Sequence, residues 1–171
     1  MAIQSLVGTI LLGDYLTIIR DHADTKTPLE ISETNDAAAF DFITSYIFGP
    51  SFGSKLLKDL SFRQLFLGHH YKERSQGFWR HEMPFLATLI KRMGFDATTK
   101  SARWIQDWFS HSFYICRASL RTGESDTRAI MLEHLLKSLD KAQLSGQSNE
   151  DHDVISEFHD HGVAGAETTN H

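Results

Sequence analysis

The chain repeats its apolar side chains at helical spacing almost from end to end. No long run alternates apolar with polar residues as a half-buried strand would. That pattern confines the fold to helices packed on helices. The first segment shows it plainly. Ile3, Leu6, Val7, Ile10, Leu11, Tyr15, Ile18 and Ile19 share one side of a helix, and Gln4, Ser5, Thr9, Asp14 and Thr17 share the other. The segment lacks the basic start and small-residue cleavage site of a secretory signal. It is also too interrupted for a membrane span of about 20 apolar residues. It reads as a buried amphipathic helix, with a membrane-surface helix as the alternative, and no stable membrane insertion is expected.

The same reading places further helices. Asn35 is a fitting N-cap for a helix from Asp36 to Phe48, whose apolar side carries Phe40, Ile43, Tyr46 and Ile47. Gly49-Pro50 stops it. Ser51 or Ser54 can cap the next helix, with Leu56, Leu57, Leu60, Leu65 and Phe66 inward. Pro84 opens or kinks a segment that ends at Gly94. Thr98 or Thr99 starts the most aromatic helix, which runs to Arg121. Its apolar residues, from Trp104 through Leu120, cover more than half the circumference, so it is expected to sit centrally. Ser125 caps a last helix to Ala142 that forms a hairpin with it. The fold class is therefore all-α: one helical-bundle domain of about six helices over residues 1–144.

Charge divides the chain in two. The net charge is −5 over 171 residues. Residues 1–144 hold 17 basic and 16 acidic side chains, whereas residues 145–171 hold six acidic and none basic. The second stretch is poor in apolar residues and reads as an acidic, histidine-bearing flexible tail. A basic surplus between 72 and 103 offers it a contact surface, on the same or a neighbouring chain. Nucleic-acid binding would need a basic domain with a recognisable motif, and neither is present. The single cysteine, Cys116, rules out an internal disulfide and points to a reducing, cytoplasmic setting.

Ten histidines carry most of the available chemistry. In the tail, His152, His159 and His161 stand beside carboxylates in a pattern that can hold a divalent metal. His69, His70 and His81 occupy the middle of the chain. His111 lies on the aromatic helix with Trp104 and Trp108, the setting of an axial ligand or of a residue lining an aromatic pocket. His81 and His111 are the candidate metal ligands. His70, His81, His111, Trp104 and Trp108 are the candidate cofactor-binding residues. The Glu-x-x-His pairs of di-metal bundles are absent, as are a nucleophile elbow, a phosphate-cradling glycine loop and a His-Glu-x-x-His motif. An enzyme of a common type is not expected, no catalytic residue is assigned, and Cys116 reads as small apolar filler.

Three short strings resemble landmarks of the globin superfamily, specifically of truncated haemoglobins: Gly49-Pro50-Ser51-Phe52, Phe78-Trp79-Arg80-His81-Glu82-Met83 and Arg103-Trp104-Ile105. The hairpin from Trp104 to Ala142 is also similar to the last two helices of a globin. The resemblance spans residues 36 to 142 and implies a sensor or ligand-binding domain with haem as cofactor. The chain departs from it in two ways. The gap from Gly49 to Phe78 is long, and Pro84 to Arg103, where a proximal histidine belongs, contains none. His81 or His111 would have to serve instead, or the fold would work without haem. The other expectation is a non-enzymatic regulatory protein that binds a partner through helix surfaces and the acidic tail. Three Trp and twelve Phe exceed what one small core readily buries, so a homodimer is expected.

Overall fold

A computed structural model describes residues 2–82, 85, 97–122, 129, 131–134 and 136. Every regular element among them is helical. Helix α1 (Ala2–Leu6) passes through a π-helical stretch, Val7–Tyr15, into α2 (Leu16–Thr25). Then come α3 (Ile31–Phe48), α4 (Leu60–Glu82) and α5 (Ala97–Thr122). The expected helix from Pro84 to Gly94, the one from Ser125 to Ala142 and the acidic segment 145–171 lie wholly or partly outside the described residues.

The first helix forms where periodicity places it, but its winding differs. Leu6 and Ile10 are buried, and Leu11, Tyr15 and Ile18 pack against the core. From Leu6 to Ile10 to Tyr15 the intervals are four and five residues. The i→i+5 winding of a π-helix brings those intervals to one side. An α-helical register would instead turn Gly13 and Asp14 inward. Asp14 therefore faces outward and pairs with Lys58 at 2.9 Å.

Helix α3 begins at Ile31, five residues before the start expected from Asn35. Asn35 does not cap. Its Oδ1 accepts a hydrogen bond from the Tyr15 hydroxyl at 2.5 Å and ties α3 to the first helix. The apolar pattern of α3 suggests one inward face, yet Ala37, Ala38, Ala39, Phe40, Ile47 and Phe48 are all buried, together with Thr34, Asp36, Asp41, Thr44 and Ser45. The first helix, α4 and α5 all pack on it. Three consecutive alanines let neighbours approach closely from several sides. Thus α3, rather than α5, is the central helix.

The aromatic helix α5 buries a single face. Ser101, Ile105, Phe109, Ser112, Phe113 and Cys116 turn inward, with Trp104, Trp108 and Leu120 at the margins. Tyr114 and Ile115 point out. Ile115, within the apolar run expected to face inward, lies two turns beyond Trp108 on the same edge of the helix and is 41% exposed.

Between α3 and α4 the chain is fastened by one carboxylate. Gly49 ends α3 at φ 87°, as expected of the Gly-Pro stop. Gly53 then passes so close to Ser45 that a Cβ there would stand 3.1 Å from the Ser45 backbone nitrogen and closer still to its hydroxyl. Neither Ser51 nor Ser54 caps α4. Asp59 does, accepting from the Phe62 amide at 2.9 Å. Ser54 is buried and donates to Asp41 Oδ1 at 2.5 Å, while the amides of Leu56 and Leu57 donate to the two carboxylate oxygens at 2.6 and 2.8 Å. The Ser54 amide donates to Thr44 Oγ1 at 3.0 Å. Leu56 and Leu57 are thereby set into the core. Burial pushes the Asp41 carboxyl above the usual carboxylate range, and its three donors pull it back only in part.

Asp41→Ala should destabilise the protein by about 3 kcal/mol, because it leaves three buried donors without an acceptor. Asp41→Asn keeps a carbonyl acceptor and should cost clearly less. Urea unfolding of the two variants checks this; equal losses would contradict the account.

Candidate functional site

The histidines and tryptophans singled out from sequence fall into two places. His70, Trp104 and Trp108 meet around Phe40 and Phe66 where α3, α4 and α5 come together. The Phe66 ring lies 5.0 Å from Phe40, 6.0 Å from Trp104 and 5.3 Å from Trp108, in edge-to-face arrangements. Buried His70 sets its ring edge-on to Phe40 at 4.9 Å. Phe62 adds contacts to both tryptophans at 6.3 Å. His111 is elsewhere. It sits on the exposed side of α5, nearly opposite Phe109 and Phe113. The backbone of His81 lies in α4, and its side chain is outside the described residues.

The rings of Phe40, Phe62, Phe66, Trp104 and Trp108 lie against one another. His70 points into this packed cluster and His111 away from it.

His69 lies beside this cluster. Its ring stacks on Trp104 with centroids 4.5 Å apart and planes 14° from parallel. Its Nδ1 lies 3.1 Å from Ser101 Oγ, which joins α4 to α5. Loss of solvent and nearby Lys72 both hold the His69 pKa below its usual value. A stacked, neutral imidazole is a helix fastener. The sequence signal for it was the i, i+3 pair Ser101 and Trp104 on one helix, legible only once His69 was known to face it.

The polar edge of α3 faces α4. Tyr71 donates to Asp36 Oδ2 through its hydroxyl. Arg63 Nε stands 3.5 Å from Glu33 Oε1. Burial and the Asp36 carboxylate raise the Tyr71 pKa, so the phenol stays protonated. Cys116 is also held as the neutral acid. Its thiol donates to the Phe48 carbonyl at 3.1 Å, and burial followed by the nearby Glu133 pushes its pKa up to about 11. Phe48 is the last residue of α3, so the thiol satisfies a helix-end carbonyl. That is a structural role with little nucleophilic capacity.

The outward side of α5 has a different character. Lys100, Arg103, Asp107, His111, Tyr114 and Arg121 recur at intervals of three, four and seven residues, with Ile115 beside Tyr114, and all are exposed. Tyr114 is 52% exposed and Ile115 41%. These residues form a stripe about 30 Å long. Two basic residues stand at its start and one at its end, with the aromatic and aliphatic pair between.

Comparison with known proteins finds no matching family model, no matching curated protein and no matching solved structure. Among the described residues, no helix is long and apolar enough to cross a membrane, and no group of three or more His, Cys, Asp or Glu is placed to hold a metal ion.

Two measurements check the site chemistry. A group with a lowered histidine pKa contributes stability that is present above 6.5, its unfolded value, and lost as pH falls through the folded value. Urea unfolding should therefore show a loss of stability on acidification that His69→Gln makes smaller; identical losses would refute the assignment. The thiol of Cys116 should react with a disulfide reagent at pH 8 about a hundredfold more slowly in the folded chain than after denaturation. Comparable rates would show that the thiol is not held as described.

Proposed function

We infer that this chain is a non-enzymatic helical interaction domain whose working surface is the outward stripe of α5. The observation that carries the reading is the arrangement of exposed Tyr114 and Ile115 between Lys100 and Arg103 on one side and Arg121 on the other. Aromatic and arginine side chains supply most of the energy of protein interfaces. A helix face with apolar anchors and flanking charge is a common surface for a helical or extended peptide. The partner that fits is an acidic protein segment bearing two or three apolar side chains. The neutral thiol of Cys116 and the structural engagement of Asp41 support a binding role over a catalytic one.

The globin-like sensor reading has its support in the three sequence strings. Gly49-Pro50-Ser51-Phe52 follows directly on α3, and Arg103-Trp104-Ile105 lies in the first third of α5. The only described histidine with an open side chain, among the candidate ligands, is His111. Haem added to the purified protein tests this second reading. A Soret band that His111→Ala removes would support a surface-ligated tetrapyrrole, and no retained band would end it.

For the interaction reading, a photo-crosslinking residue at position 114 should capture an acidic partner, and the yield should fall steeply between low and physiological salt. The same residue at Leu12, exposed on the π-helical stretch, should not capture it. Equal capture at both positions, or yields indifferent to salt, would overturn the reading. A cross-link joining two copies through position 114 would instead identify a homodimer face.

A further inference from the structure

We propose that the stacked pair His69–Trp104, with Lys72 and Lys100 beside it, is a binding site for a phosphate monoester. The order of contacts between α4 and α5 brings these groups together. His69 meets Ser101 and Trp104, while Phe66 and Phe62 meet Trp104 and Trp108. Contacts climb α5 as they descend α4, so the two helices run antiparallel here. Lys72 lies one turn beyond His69 on α4, and Lys100 lies one turn before Trp104 on α5. In antiparallel helices those two turns lie toward the same end. The stacked rings are therefore flanked at one end by two ammonium groups, and both lysines are exposed.

The imidazole supplies a third donor. Its Nδ1 lies 3.1 Å from Ser101 Oγ. With the Ser101 hydroxyl donating to Nδ1, the ring proton sits on Nε2. Among the described residues the ring makes no other hydrogen bond. Stacking on Trp104 holds the ring plane in place at no further cost on binding. Two ammonium groups and one imidazole N–H match the three terminal oxygens of a phosphate monoester, and two positive charges match its charge near neutral pH. A carboxylate brings one charge and two oxygens to the same three donors.

The surrounding charges favour an anion at this end. Loss of solvent and then Lys72 hold the His69 pKa below its usual value. Glu73 follows Lys72, but its Oε2 is buried. On α5, Arg103 is exposed beside Trp104, and Asp107 lies one turn farther along, away from the lysine end. A bound dianion offsets Lys72 and stabilises the imidazolium, so phosphate binding and proton uptake by His69 reinforce each other. The phosphate can be carried by a partner segment, a source that rests on the α5 interaction surface, or by a free small molecule. The chemistry at the site is the same.

The test uses full-length protein and follows the His69 ring proton by NMR, its signal assigned by loss in His69→Gln. The probes are inorganic phosphate and the peptide acetyl-Glu-Leu-phosphoserine-Leu-Glu-amide, each added at constant ionic strength against chloride, with the unphosphorylated peptide as control. Inorganic phosphate should shift the His69 signal in a saturable way and raise the His69 pKa above its value in chloride. Lys72→Ser with Lys100→Ser should weaken this binding at least about tenfold and remove the pKa difference. Both lysines are exposed, so an unchanged circular dichroism spectrum and thermal midpoint would show that the fold is intact. A phosphopeptide that binds at least about tenfold more tightly than inorganic phosphate identifies a protein-borne group; equal binding identifies a small phosphate ester. No saturable shift with either phosphorylated probe, or binding that survives both lysine substitutions, overturns the proposal, as does an equal response to the unphosphorylated peptide. Failure here is separable from failure of the interaction reading. If neither probe binds and a partner still cross-links at position 114, the interaction reading stands alone. If phosphate binds as expected and no partner cross-links, the site stands as one for a small phosphate ester.

Discussion

Helix α3 is enclosed by the first helix, α4 and α5, and every polar side chain it carries inward must find a partner inside the protein. Two features make this enclosure possible. Ala37, Ala38 and Ala39 remove side-chain bulk where neighbours approach. Four of its buried polar groups are engaged: Thr34 by the Glu30 carbonyl, Asp36 by Tyr71, Thr44 by the Phe40 carbonyl and the Ser54 amide, and Asp41 by Ser54, Leu56 and Leu57. An unmatched carboxylate at any of these places would cost more than the surrounding apolar contacts return. The turn from Gly49 to Asp59 is consequently not a passive link. It supplies the donors for α3 and at the same time seats Leu56 and Leu57 in the core.

The second group of constraints joins α4 to α5. Phe66 packs edge to face on Trp104 and Trp108, Phe62 tilts against both, and His69 stacks flat on Trp104 beside Ser101. Because this junction covers only part of α5, the remainder is left with charge, one histidine and two large exposed side chains. The proposed interaction surface is thus a consequence of how the core is filled. A helix that had been buried all round, as its composition suggested, would offer no such stripe.

Much of this was legible beforehand, for identifiable reasons. The all-helical class follows from spacing alone, and the stop at Gly49-Pro50 follows from backbone chemistry that no tertiary contact can override. The inward positions Leu6, Ile10, Phe40, Leu56, Phe66, Ile105 and Phe109 follow from the same periodicity. Asn35 was misassigned because a residue suited to an N-cap is equally suited to accept a long-range hydrogen bond, here from Tyr15. Ser54 was misassigned for a similar reason: its hydroxyl serves Asp41 rather than a helix end, and Asp59 takes the capping role. The candidate ligand set separated because neighbours cover a helix over only part of its length. Trp104 and Trp108 pack against Phe66, while His111, two turns beyond Trp104, is exposed.

By itself the sequence determined that the protein is built from helices, where most of them lie, and that its acidity is concentrated in residues 145–171, since spacing, glycine and proline chemistry and charge are local properties. Only the tertiary structure decided which helix is central, which register the first helix adopts and which aromatic residues meet. Those outcomes depend on several segments competing for one interior. Asp14 inside a core or Asp41 without donors would be prohibitive, and neither penalty can be read until the neighbouring segments are in place.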